Sequence, residues 1–450
     1  MKVPFRQLIV IATALGALSI VQEAFAGSPT VPPQIQALYD KKDYQKTLDE
    51  LGKLDKDAAA APDVRRLKTR TLLRLGKPKE ALEEYDKLEA ALKQDDVPLL
   101  REVALGFIVA MMKDMREQMR GAAYTALKEF DSDEAVPFFE DGLSDGSGPV
   151  RMLAVEGLGR SEAGRRSKKL RSAIEDQAGL VKARAVKVLG KSGDPSAIPL
   201  IENATKDELQ TVRIAAYGAL IRLGRKEAWE QLKKASEAAN PEDRSEALRV
   251  IADLKDQRGA PLMTELLTYK QPSVRAAAAR GLGHLGKKDA RSLIEKLLKD
   301  PVPAVRESAA VALADLGSRE SVPILSQGLN DPVMTVRAAT AAALLQLDQS
   351  YDTVAGTIRG LAQQNDTAAR ASAAFALGKA TKVNRQGAIA MLETLTMDPL
   401  PGPKIVAIRS LGHIGDREML PLFKASLHDE NDAVRSTAAG AMLHLLTSKL

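Results

Sequence analysis

A chain of 450 residues, 45% hydrophobic and 28% charged, has the composition of a folded protein rather than a disordered one. It has no cysteine, which excludes disulfides, thiolate metal sites and a cysteine nucleophile, and only 4% aromatics, so its core must be small aliphatic side chains on closely approaching helices. A net charge of +6 on so long a chain is a mild excess, short of the clustered cations and stacking aromatics that nucleic acid requires.

Residues 1–26 read as a cleaved signal peptide. Lys2 and Arg6 give a positive start, residues 8–21 are apolar, and Ala24-Phe25-Ala26 is a small-x-small cleavage site. The apolar run is shorter than the ~20 residues of a membrane span, and no later stretch is apolar enough to cross a bilayer. The mature protein is therefore expected to be exported without a membrane span, in the periplasm first and outside the cell as the alternative. Retention of the segment as an anchor is the other reading. Residues 27–34 form a Pro-containing linker.

Over residues 35–96 the pattern turns helical with a period of 34. Tyr44, Thr47, Leu51 and Leu54 are matched by Pro78, Ala81, Tyr85 and Leu88, and Leu75-Gly76 precedes the second copy. These offsets resemble the tetratricopeptide repeat, in which the second helix carries an aromatic, a small and a large apolar residue. Pro78 departs from that pattern, and so does the lack of the family's Trp. An unrelated helical cap is the alternative.

The segment 97–450 is a longer array. After an apolar helix over residues 99–112, a basic residue returns every 31 positions at Arg120, Arg151, Lys182, Arg213, Arg244, Arg275, Arg306 and Arg337, then at Arg370, Lys404 and Arg435. Such self-similarity is the mark of a solenoid, in which each unit buries its apolar face only against its neighbours. Three positions after the base stands Ala in ten units and Thr340 in the other, and seven after it stands Leu, Ile251 or Met442. Both lie on one stripe of a helix at 3.6 residues per turn. Glycine eleven after the base (Gly193, Gly224, Gly286, Gly317 and Gly415) suits a left-handed helix end. Two antiparallel helices of about a dozen residues each would fill a unit. The period stretches near residues 348–353, 365–367, 382–387 and 398–403, and insertions in solenoids map to edge loops, functional or neutral.

Six residues before the base stands Asp114, Asp145, Asp176, Asp207, Asp300, Asp331, Asp398 or Asp429. An acid there can cap the second helix and reach the base of an adjacent unit. This Asp…Val-Arg-x-x-Ala…Leu-Gly pattern resembles the HEAT repeat, in its short bilin-lyase-type form. The resemblance implies an all-α, right-handed α-solenoid of about eleven two-helix repeats, preceded by the tetratricopeptide-like segment. It also implies that the acids and bases form a structural ladder: Asp114, Arg120, Asp145, Arg151, Asp176, Lys182, Asp207, Arg213, Arg275, Asp300, Arg306, Asp331, Arg337, Asp398, Lys404, Asp429 and Arg435.

Chemistry is hard to find. Metal-dependent hydroxylases of this fold carry His-Glu pairs, and none of His284, His413, His428 and His444 is followed by Glu. The bilin lyases act inside photosynthetic cells, which suits an export signal poorly. Phosphate-loop and H-E-x-x-H motifs are absent from the sequence. The expectation is a protein with no catalytic or metal residue and no cofactor.

A partner surface is the remaining candidate. Five and nine residues after the base stand Lys187, Lys191, Arg222, Arg249, Arg280, His284, Arg409 and His413. In HEAT arrays the second helices line the concave face, so the resemblance implies a mildly cationic inner stripe for protein partners with acidic segments. A wet helix face explains the same residues. A scaffold or adaptor is the first reading, a binder of anionic envelope polymer the second, and a HEAT-type metal-dependent or lyase-like enzyme the third. The pattern leaves the oligomeric state open.

Overall fold

The computed structural model describes residues 31–447; the signal peptide expected over residues 1–26 lies outside them. Among the described residues the elements are helices and turns, with no strand. The chain divides into two compact units, residues 139–419 and residues up to 138 together with those from 420 onward.

The unit of residues 139–419 is a stack of two-helix repeats. Its second helices are Gly148–Leu158, Gly179–Lys191, Gln210–Arg222, Pro241–Asp253, Pro272–His284, Pro303–Asp315, Met334–Gln346, Thr367–Leu377 and Pro401–Ile414. Each packs along the next. The periodic stripe is the reason. Ala185, Ala216, Ala247, Ala278 and Ala309 have no exposed surface, and Leu282 and Leu313 behind them have none either. Alanine lets the neighbouring backbone come close. Each buried leucine contributes about 2 kcal/mol by removal from water. The approach is close at Gly283, where an added Cβ would lie 2.8 Å from both Cα and the carbonyl oxygen of Ala312 on the next helix.

The second helices end where a left-handed residue turns the chain back. Gly193, Gly224, Gly286 and Gly317 have φ between 65° and 93°, and the N–H of Lys287 donates to the Leu282 carbonyl at 3.1 Å, closing the turn. Lys255 and Asp348 occupy the same place with φ of 54° and 60°, so position rather than residue type dictates the turn. Gly415 breaks the expectation. It leaves its helix extended (φ −78°, ψ −176°) while its N–H still donates to Leu411, and an added Cβ there would meet the Leu411 carbonyl and the Met419 side chain.

The first helices are shorter than expected. Ala260–Leu266 and Arg291–Lys296 have 7 and 6 residues, each preceded by a 3₁₀ turn. The stretched units differ, because there the added residues make single α-helices of 12, Tyr351–Ala362 and Arg385–Thr396, rather than only longer loops. Asn384 at the start of the second is 4% exposed. Its amide donates to the carbonyls of Leu345 at 2.9 Å and Gln349 at 2.8 Å, which fastens the inserted stretch to an earlier unit.

In the other unit, Pro33–Asp40, Tyr44–Leu51, Lys56–Ala60, Pro62–Arg74 and Pro78–Leu92 form the N-terminal segment, so helix begins two residues inside the expected linker. Thr47, Leu51, Ala81, Tyr85 and Leu88 are buried, which is where the 34-residue period put its core. Val97–Met111 and Glu117–Leu127 follow as the first HEAT-like pair. The last pair, Leu420–Ser426 and Asp432–Thr447, returns to it: Asp432–Thr447 packs on both helices of the first pair. A Cβ on Gly440 would lie 2.6 Å from the Ala126 carbonyl oxygen. Lys424 reaches Glu89 at 2.6 Å and Asp95 at 2.8 Å, and His428 lies 3.1 Å from Asp86. The terminal repeats thus cap each other's apolar seams, a task that free ends of an array leave to polar caps.

Candidate functional site: two flanks of the second helices

Each second helix carries its polar residues on two flanks. On one, the base of a unit reaches the acid of the next in five units. Arg275 holds Asp300 through two parallel bonds of 2.8 and 2.9 Å, and Arg306 holds Asp331 at 2.7 and 2.9 Å. Arg151 to Asp176 and Arg370 to Asp398 repeat the pair, and Lys182 meets Asp207 at 2.8 Å through a single ammonium bond. Every such guanidinium also donates backwards, as Arg275 does to the carbonyls of Tyr269 and Lys270. The acids do not cap their helices as expected; each accepts from the N–H two residues on, in the turn before the helix, as Asp300 does from Val302 at 2.9 Å.

Three units lack the acid. Arg213 therefore turns to Gln210, and Arg244 lies over the Tyr269 ring at 4.5 Å. Arg337 bonds the carbonyls of Asp331 and Pro332. Toward the chain ends, Arg120 donates to the Asp114 carbonyl, Asp145 and Asp429 accept from Ser147 and Asn431, and Arg435 meets Asp432. Lys404 has polar partners as well.

The rungs leave a mark on titration. Hydrogen bonds from Arg151 and Lys182 hold Asp176 and Asp207 below the ordinary carboxylate value. For Asp300, Asp331 and Asp398 burial pushes the other way, but the guanidinium and backbone N–H bonds outweigh it and the net shift is downward.

The other flank forms a groove of about 800 Å³. Of the residues expected on the inner stripe, Lys187, Arg222, Arg249, Arg280 and His284 line it together; Lys191, and Arg409 and His413 on Pro401–Ile414, do not. Its floor is Ala and Gly, among them Ala215, Gly218 and Gly281. Lys187 pairs with Asp253, 66 residues away on the next helix but one. That pair closes over the helix between, where Ala215, Gly218 and Ala219 line the groove, so this face is concave. Arg222 donates to the Asp253 carbonyl at 3.0 Å, and Arg249 pairs with Glu246. Lys191 stands beside the groove, its ammonium held below its ordinary value by burial first and then by the neighbouring charge of Lys187. Arg280 is exposed, with no ion-pair partner among the described residues.

The sequence reading missed Arg184, which lines the groove and pairs with Glu156 at 3.0 Å, and Leu180, which lines it with 71% of its surface exposed. A charged residue two positions after the base was the available signal for the first. Nothing in the periodicity marks Leu180. No three His, Asp or Glu side chains come together as a metal site would require, among the described residues. Nor is any helix long and apolar enough to cross a membrane, among the same residues.

Of the comparisons with known proteins, the family profile is the one that bears on the architecture. No curated protein matches the sequence. Among solved structures, the CpcE–CpcF phycocyanin lyase complex of Nostoc is similar at 20% identity and a TM-score of 0.34, over 50% of this chain and 92% of that one. Human deoxyhypusine hydroxylase is similar at 20% identity and 0.33, over 62% and 96%. A mutant of Kap121p is similar at 14% identity and 0.38, over 97% and 56%. None of these likenesses carries a function to this chain. The family profile described as HEAT repeats matches residues 167–252, 230–302, 270–346 and 354–443, more than half of the sequence. With the stacked helix pairs, the alanine seams and the acid–base rungs, that match makes the chain a member of the HEAT-repeat family.

Proposed function

We propose that the protein is an exported, non-enzymatic scaffold or adaptor that holds protein partners in the groove of its second helices. One observation carries the reading: five of the eight basic stripe residues line a single concave groove, and Arg280 enters it with no partner of its own. The opposite flank spends its arginines on internal rungs. A preformed groove on stacked helices binds with little ordering cost, which favours many modest contacts over one deep pocket. Export rests on the sequence, on Lys2, Arg6, the apolar run and Ala24-Phe25-Ala26.

The test is photo-cross-linking in living cells from Arg249 or Arg280, with captured proteins identified by mass and compared with capture from exposed outer positions. A discrete envelope protein caught only from the groove is the expected result. Capture of nothing from any inner position would sink the scaffold reading. Fractionation with the mass of the mature N-terminus checks export.

A further inference from the structure

The groove is not uniformly basic. Around Arg184, Lys187, Arg222, Arg249 and Arg280 stand three carboxylates, Glu246, Asp253 and Asp315. Arg184, Lys187 and Arg249 are already matched by Glu156, Asp253 and Glu246, which leaves Arg280 and Arg222, whose hydrogen bond goes to the Asp253 carbonyl and not to a carboxylate, as the guanidiniums on offer. Leu180 stands exposed in the same groove, with Met152 also in the lining and Ala and Gly making the floor. Such a floor lets another backbone come close, and covering the exposed leucine beside it is favourable because apolar surface leaves water.

From these features we infer that the groove takes an acidic protein segment with an apolar anchor, its carboxylates on Arg222 and Arg280 and its anchor against Leu180. This rests on the second-helix face being the partner surface. A polymer of even negative charge fits worse, because it would lie against Asp253 and Asp315 as well as the arginines, and like charges at an interface are strongly disfavoured. A peptide can alternate. The groove also fixes the length of its occupant. Leu180 and Arg280 lie on helices three steps apart, and at about 8–10 Å per step that is roughly 25–30 Å. An extended segment of about nine residues covers it at ~3.3 Å each.

The experiment is selection of random 12-residue peptides displayed on phage against the purified protein, then fluorescence anisotropy of the enriched peptides. Enriched sequences should combine Asp or Glu with Leu, Ile or Phe. Their affinity should fall about tenfold in Leu180→Ser and in the double variant Arg222→Ser/Arg280→Ser, and should weaken as salt rises. All three side chains lie on the groove surface, and circular dichroism checks that the variants stay folded. Polyphosphate added as competitor should not displace the peptides. Neutral or basic winners, winners that bind both variants unchanged, or displacement by polyphosphate would each overturn the inference. Failure to enrich anything would overturn it too. Cross-linking from Arg280 in cells, which presumes no peptide class, then reports separately on the scaffold reading.

Discussion

Arg275 and Arg280 sit on one helix, five residues apart, and do opposite things. Arg275 is 12% exposed and gives four hydrogen bonds, two to Asp300 of the next repeat and two to backbone carbonyls of its own. Arg280 is exposed and meets no carboxylate among the described residues. The same side chain is a rivet on one flank and an open contact on the other. What separates them is the neighbour's residue: an aspartate six before the next base on one side, alanine and glycine on the other. A planar guanidinium matched to a carboxylate is bidentate and geometrically specific. Left unmatched beside small residues, it offers the same fork to something else.

Acid strikes the riveted flank hardest, because it acts on every rung at once. Asp176, Asp207, Asp300, Asp331 and Asp398 all titrate below the ordinary value in the folded chain. The unfolded chain therefore takes up protons first as pH falls. Stability from the rungs is complete above the unfolded value of about 4 and is lost as pH drops through the depressed folded values. Urea midpoints should form a plateau from neutral pH to about 5 and fall steeply below about 4. A midpoint that rose on acidification would contradict the rungs.

A single rung can be removed by Arg275→Ala. Asp300 stays, 8% exposed, with only its Val302 N–H bond. Leaving a buried charge unmatched costs about 3 kcal/mol, the low end for buried pairs because the rung's edge meets water. Hydrogen exchange should speed up on both sides of the seam between Pro272–His284 and Pro303–Asp315, and the acid limb should become shallower. Gly283→Ala tests the same seam between the flanks. Its methyl group meets backbone of the next helix at 2.8 Å, so the helices must part, at a cost of about 1–3 kcal/mol. An unchanged urea midpoint would mean that the helices are not in contact there.

Much of this was legible in one dimension. The alanine at Ala278 and the leucine at Leu282 recur with the period, and a period is all a solenoid needs to declare its core. The acids of the ladder recur as well, so Asp300 and Arg306 could be placed in one structural set before any coordinates. The groove is different. Lys187 meets Asp253 across two repeats, and that depends on the curvature of the stack, which accumulates from small rotations no single repeat encodes. The exposure of Leu180 depends on it too. Packing of Asp432–Thr447 on Val97–Met111 joins the far ends of the array, a contact no 31-residue pattern can express. Gly415 failed for a local reason: its unit's helix ran to Ile414 and the chain left extended.

A smaller effect with the opposite sign comes from Lys255. It holds a left-handed conformation with φ of 54° where four other units use glycine. An L-residue pays steric strain there, while glycine pays more chain entropy on folding, and the strain term is the larger. Lys255→Gly should raise unfolding free energy by about 0.5–1 kcal/mol, read as a higher urea midpoint. A loss of stability would mean that the turn is held by the Lys255 side chain and not by the backbone position.

The smallest effect is the most telling one. Arg280→Ala removes an exposed cation that makes no internal bond, so the urea midpoint should stay within about 0.5 kcal/mol of the parent. Its neighbour five residues earlier costs several times as much. Because Arg280 shares the groove with Arg222, Arg249 and Lys187, deleting it relieves some like-charge repulsion, and the small change should be toward greater stability at low salt and vanish as salt rises. A destabilisation as large as that of Arg275→Ala would place Arg280 among the rungs and leave the groove without its free cation. A null result on stability, paired with a loss of peptide affinity in the same variant, separates the flank that builds the protein from the flank that serves a partner.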